Sequence, residues 1–165
     1  MKDIITIILS VSIFLFTSIS LGQNTVQPEI LENTVGEWKG TLTYLDYQTK
    51  EPFTMPANLR IENGKNKYQF KLSLEYPKEP KANSTDKIKI SKDGTKINKA
   101  DVISNRKISE KEFEIITKYS EKDNNKKAEI RVTYVIGKSK LIIRKEVKFE
   151  NTENWILRNE YNYKR

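Results

Sequence analysis

The sequence predicts an all-β fold, an antiparallel up-and-down β-barrel of nine or ten strands. Three observations point there. Apolar side chains recur at every second position in one segment after another, short turn signals separate those segments, and no helical stretch between them is long enough for a crossover. Consecutive strands joined by short turns lie antiparallel and side by side. A flat sheet of that many strands would leave one apolar face in water. Closing it into a barrel buries that face and removes the edges, with a two-sheet sandwich as the alternative.

Residues 1–22 have the pattern of a signal peptide. Met1-Lys2-Asp3 carries one positive charge, Ile4 to Ile19 is almost uninterrupted apolar chain, and Ser20-Leu21-Gly22 places small residues three and one positions before a cut that would leave Gln23 first. The apolar run is shorter than the roughly 20 residues that span a membrane, so no stable membrane insertion is expected after cleavage. The protein is therefore expected to be exported, either secreted or periplasmic. Residues 23–35 form a polar lead in which Pro28 to Asn33 makes one helical turn, with proline suited to its first position. The barrel domain occupies residues 36–165.

The first strand, 37–47, sets Trp38, Leu42 and Tyr44 against Lys39, Thr41 and Thr43. Residues 55–62 carry Leu59 and Ile61 in phase, and Asn63-Gly64 signals a tight hairpin. Tyr68, Phe70, Leu72, Leu74 and Tyr76 then alternate strictly with polar residues, the cleanest half-buried strand in the chain. The breaker-rich stretch from Tyr76 to Thr85 is the longest connection. Ile88 and Ile90 lead to Asp93-Gly94, a second hairpin signal, and Ile97 with 102–108 makes a weaker, broken strand. Phe113, Ile115, Thr117 and Tyr119 share a face, and Lys122 to Asn125 turns the chain. Ala128 to Ile136 and Leu141 to Phe149 follow around Gly137-Lys138-Ser139. Beyond Asn151 to Asn154, the last strand places Trp155, Leu157, Asn159, Tyr161 and Tyr163 in one phase.

Composition excludes much chemistry. The chain has no histidine and no cysteine, which removes Ser-His-Asp and Cys-His catalysis, the usual zinc and copper ligand sets, a lipid-bearing cysteine and any disulfide. No enzyme, cofactor or metal is expected, and the exported fold rests on its core alone. The net charge of +8 comes mostly from lysine, 24 of 30 basic residues, scattered among glutamates along the whole chain. That reads as a solvated surface and not as a nucleic-acid footprint.

Gly36-x-Trp38 heads the first strand, after a helical turn and just beyond a signal peptide. In that setting it resembles the first signature of the lipocalins and their calycin relatives. The resemblance implies that Gly36 lets the entering chain pass close to the barrel floor and that Trp38 plugs it. It also implies that an arginine near the C-terminus lies across the indole, a cation–π contact. Arg158 is the best match for that arginine. Strict alternation, however, sets it opposite Trp155, Leu157 and Tyr161, pointing outward.

If the apolar faces point inward, the polar residues among them are the binding candidates, because buried polar groups need partners. Lys145 lies between Ile143 and Val147, and Thr117 and Asn159 hold similar positions. With Tyr44, Phe70, Tyr119, Tyr134 and Tyr161 they would line a mostly apolar pocket. The expected function is non-enzymatic binding of a small hydrophobic or amphiphilic molecule by a monomer, with an anionic group, where present, near Lys145. The alternative is a barrel filled by its own side chains, a module that meets an envelope component or protein partner through its basic surface. An interior without a continuous void above about 300 Å³ would remove the small-molecule reading, since ligand pockets begin near that size.

Overall fold

The computed structural model describes residues 24–165, so the expected signal peptide lies outside the described residues. A short helix, α1 (Pro28–Glu32), precedes ten strands. They are β1 (Gly36–Leu45), β2 (Pro52–Asn63), β3 (Gln69–Glu75), β4 (Ser84–Lys89), β5 (Lys96–Ile97), β6 (Ala100–Ser109), β7 (Glu112–Asp123), β8 (Lys126–Gly137), β9 (Lys140–Phe149) and β10 (Ile156–Lys164). They form one antiparallel sheet in the order β4-β3-β2-β1-β10-β9-β8-β7-β6-β5. Every neighbour is a sequence neighbour except β1 against β10, the pair that rolls the meander up.

The strands left at the ends of that order, β4 and β5, meet at one point. Ile90 bridges Ile97, the Asn98 N–H donates to Lys89 O at 2.6 Å, and Asn98 Oδ1 accepts the Lys89 N–H at 2.9 Å. Among the described residues the rest of β4 has no strand on its second edge, so the barrel is nearly closed.

The turns follow local chemistry. Asn124 and Asn125 both adopt positive φ, 47° and 60°, which gives the two-residue hairpin that joins β7 to β8. The Asp93 carboxylate accepts from Ser91 Oγ and from the Thr95 N–H and hydroxyl, holding the turn around Gly94. Asn63-Gly64 does not close a tight hairpin. The connection runs to Tyr68 because Asn66 organises it, its side chain accepting the Tyr68 N–H and its carbonyl the Gln69 N–H.

Two strands depart from strict alternation. The broken strand expected around 97–108 is resolved as β5 and β6, with β6 shifted in register between Val102 and Ser104 and again between Lys107 and Ser109. In β10, Ile156 and Leu157 face Val147 and Glu146, and the register resumes with Asn159 against Lys145, leaving Arg158 as the extra residue of a bulge. The bulge inverts the phase. Leu157 is exposed, and Trp155 lies on the outer face with the Arg131 guanidinium 4.4 Å from its ring centre. The single apolar face expected for Trp155 to Tyr163 therefore holds only from Asn159 onward.

The main core fills the closed end. It contains Trp38, Leu59, Ile61, Phe70, Ile115, Ile136 and Tyr163, with Leu31 of α1 packed on it. Gly40 is required there: a Cβ at this position would sit 2.1 Å from Asn162 O and 2.8 Å from the Tyr163 ring, so only glycine lets β10 approach so closely.

Candidate functional site

Three groups of side chains define the interior: the closed end, a polar cluster at the opposite end, and a cavity between them. At the closed end Trp38 is 1% exposed and donates its indole N–H to Thr34 O at 2.7 Å, tying the floor to the end of α1. Gly36 enters this region at φ +124°, a conformation that favours glycine. The guanidinium over Trp38, 4.3 Å from the ring centre, belongs to Arg165 and not to Arg158. Arg165 also donates to Val35 O, Asn33 O and Lys138 O at 2.8, 2.6 and 2.8 Å, so the last residue of the chain clamps α1 and the β8–β9 turn to the floor.

Arg158 is at the other end, and the β10 bulge turns it there. It donates to Leu45 O at 2.6 Å, lies 4.3 Å from the centre of the Tyr47 ring and stands 3.7 Å from Asp123. Asp123 is the hub. It accepts the Tyr47 hydroxyl at 2.6 Å and Lys145 Nζ at 3.1 Å. Burial alone would raise its pKa, but the hydrogen bonds from Tyr47 and Lys145 and the charges of Lys145 and Arg158 hold the carboxyl below its ordinary range. Tyr47 lies between β1 and β2, so its bond to Asp123 draws that connection across the barrel end to β7. Lys145 faces inward, as its phase requires, and is already neutralised by Asp123.

Between these ends lies a cavity of about 260 Å³. Leu59, Leu72, Leu74 and Ile143 supply apolar wall, and Tyr76, Tyr134, Tyr161 and Tyr163 supply phenols. Exposed Ser84, Asp86, Lys87 and Asn98 form its rim, where β4 has no partner. The Tyr76 and Tyr161 hydroxyls bond each other at 2.9 Å. The Tyr163 hydroxyl is buried with no partner among the described residues, and the ring stacks on Tyr161 at 5.7 Å. Burial pushes the pKa values of Tyr134, Tyr161 and Tyr163 well up, so all three stay neutral donors. Larger depressions, of about 550 Å³ over β1 to β3 and about 640 Å³ at the ends of β7 to β9, lie among charged outer-face residues such as Glu37, Arg60, Glu129 and Lys148.

Of the eight binding candidates read from sequence, only Tyr134 and Tyr161 are in the cavity wall. Phe70 is core, and Thr117 is buried with its hydroxyl on Val132 O at 3.3 Å. Tyr119 packs with a second small cluster around Ile130 and Val147. Tyr44 lies against Phe53 at 5.6 Å and is paired with Asn159, which is in turn paired with Lys145, near the polar end. Tyr47, Tyr76, Asp86, Asp123, Tyr163 and Arg165 were not singled out. Asp123 had a signal, being at even spacing from Thr117 and Tyr119, but its turn-forming neighbours masked it. Among the described residues no cluster of three or more acidic side chains could hold a metal, and no helix is long and apolar enough to cross a membrane.

The architecture is a nearly closed antiparallel β-barrel that fits the lipocalin-like fold. No family model matches the chain, and no curated protein matches it. Among solved structures, Rv2717c from M. tuberculosis superposes with a TM-score of 0.57 at 10% identity, covering 86% of this chain and 99% of that one. A protein of unknown function from the DUF3598 family of Nostoc punctiforme matches with a TM-score of 0.40 at 12% identity, covering 86% of this chain and 50% of that one. At such identity the first likeness is one of fold alone, and the second carries no argument.

Proposed function

We propose that this protein is an exported, non-enzymatic, lipocalin-like binding protein that holds a small hydrophobic or amphiphilic molecule inside its barrel. The observation that supports this reading is the interior cavity of about 260 Å³, with its apolar wall and inward phenols. Its volume is under the roughly 300 Å³ of ordinary ligand pockets. An apolar cavity of about 150 Å³ nevertheless accommodates benzene. The occupant is therefore one-ring or short-chain in size, and a long acyl chain does not fit. An anion near Lys145 has lost its support, because Asp123 already occupies that cation.

Native mass spectrometry of the protein purified from the exported fraction tests the proposal. A co-purifying small mass, or uptake of one from a panel of one-ring amphiphiles, is the expected result; a bare chain throughout would sink it. The cavity's small size favours a second reading, a filled barrel that meets an anionic partner through its basic surface. Binding to anionic polymers that weakens with salt, together with a bare chain in the spectrometer, would select that reading.

A further inference from the structure

We propose a second binding site, on the outer side of the barrel floor. It is a cleft of about 520 Å³ between α1, the β6–β7 turn and the β8–β9 turn, and it takes a flat apolar molecule of two or three rings. This site goes beyond the interior cavity and does not depend on it.

The cleft follows from how the closed end is tied together. Arg165 joins α1 to the β8–β9 turn through Asn33 O, Val35 O and Lys138 O. The β6–β7 turn has no such tie. Among the described residues no hydrogen bond or ion pair links Glu110 or Lys111 to α1, and the Lys111 N–H is spent locally on Ser109 Oγ. The register shift in β6 between Lys107 and Ser109 comes just before this turn, and a bulge bends its strand. The hairpin tip therefore stands apart from α1, with a hollow between them.

The apolar character follows from Phe113. It is in phase with Ile115 and Thr117, which are 0% and 1% exposed, so alternation points it inward. Yet the main core takes in Ile115 and Ile136 but not Phe113, which stays half-buried and lines the cleft. Half-buried Val35 and buried Ile136 complete the floor. An inward aromatic ring left partly wet forgoes hydrophobic stabilisation, and a flat apolar occupant restores it.

Volume sets the size of the occupant. The cleft lies within the roughly 300–1,000 Å³ of ordinary small-molecule sites, whereas the interior cavity of about 260 Å³ lies below it. The rim selects no charge, because Glu32 and Glu110 stand there with Lys111, Lys138 and Arg165. Affinity must then come from the floor. Arg165 borders the cleft and also covers Trp38, so an occupant stabilises the closed end as any ligand of the folded state does.

The test is titration of the mature chain with N-phenyl-1-naphthylamine, an uncharged three-ring probe that brightens in apolar surroundings. Saturable brightening is expected, with nuclear Overhauser contacts from the probe to the Val35 and Ile136 methyls and the Phe113 ring. Phe113→Ser should weaken binding by about five- to ten-fold, the worth of roughly 40–55 Å² of apolar contact. The Overhauser map is made on the unmodified chain, so the site is tested even where that variant fails to fold. Contacts confined to Leu72, Tyr134 and Tyr161 would put the probe inside the barrel and overturn the closed-end site while supporting interior binding. Contacts only to outer-face residues such as Lys148, or no brightening, would overturn the site and leave interior binding to be decided with one-ring probes. The sulfonated analogue 8-anilinonaphthalene-1-sulfonate should bind no more tightly than the uncharged probe. A ten-fold preference for the sulfonate would overturn the assignment of affinity to the apolar floor.

Discussion

Replacing Arg165 with alanine removes a cation–π contact and three hydrogen bonds from the closed end in one step. The guanidinium lies 4.3 Å from the Trp38 ring centre. At a partly exposed site such a contact is worth about 0.5–1 kcal/mol. The bonds to Asn33 O, Val35 O and Lys138 O measure 2.6, 2.8 and 2.8 Å. Because Arg165 is exposed, water can replace part of each bond, and the lower end of the usual range, about 0.5 kcal/mol apiece, applies. The loss then comes to about 2–2.5 kcal/mol. With a urea slope of about 2 kcal/mol per molar, the midpoint should fall by roughly 1–1.25 M. The assay is urea unfolding followed by tryptophan emission in a Trp155→Phe background, which leaves Trp38 as the reporter. Arg165→Ala should also shift native Trp38 emission to the red, and Arg165→Lys should recover less than half of the stability because it lacks the planar fork. Arg158→Ala is the control and should leave Trp38 emission unchanged. A midpoint shift below about 0.3 M for Arg165→Ala, or a red shift caused by Arg158→Ala instead, would refute the assignment of the clamp.

The remaining predictions concern charge and packing. Asp123→Asn should destabilise the protein at neutral pH by about 1–3 kcal/mol, because the amide keeps only one of the two oxygens that accept from Tyr47 and Lys145 and removes the negative charge beside Lys145 and Arg158. The Asp123 carboxyl has a depressed folded pKa, so its contribution is complete above the unfolded value near 3.9 and is lost as pH falls through the folded one. The difference between Asp123→Asn and the parent should therefore narrow in urea midpoints taken below about pH 4. At the alkaline end the buried phenols of Tyr134, Tyr161 and Tyr163 have raised pKa values. Stability should fall as pH rises above the unfolded value of about 10, and their phenolate absorbance should appear only together with loss of the near-ultraviolet circular dichroism signal. Gly40→Ala should cost 3 kcal/mol or more (roughly the upper end of overpacking penalties), since the new methyl would overlap Asn162 O; thermal unfolding measures it.

Most of the fold was legible because a half-buried strand writes its register into the sequence at period two. Phe70, Leu72 and Leu74 alternate in the structure as they do on paper, and the Asn124-Asn125 turn follows from residues that tolerate positive φ. What failed was phase across irregularities. One extra residue at Arg158 turned Leu157 and Trp155 to the outside and brought Arg158 to the polar end. Periodicity carries no mark of a bulge, since the inserted residue is chosen by its long-range partners. The Trp38 clamp was missed for a related reason: Arg165 acts from beyond the last strand, where no pattern reaches. The cavity was less legible still. Eight inward residues were named from alternation, but alternation does not say which inward side chains meet each other and which meet empty space. Phe70 and Thr117 fill the core, while Tyr134 and Tyr161 border the cavity.

Chemical-shift titration of the isotope-labelled mature chain with acetophenone tests interior binding most directly. Saturable shifts should gather on Leu59, Leu72, Tyr134, Ile143 and Tyr161, the residues around the cavity. Shifts confined to outer-face positions such as Glu121 and Lys148, or none at all, would contradict it.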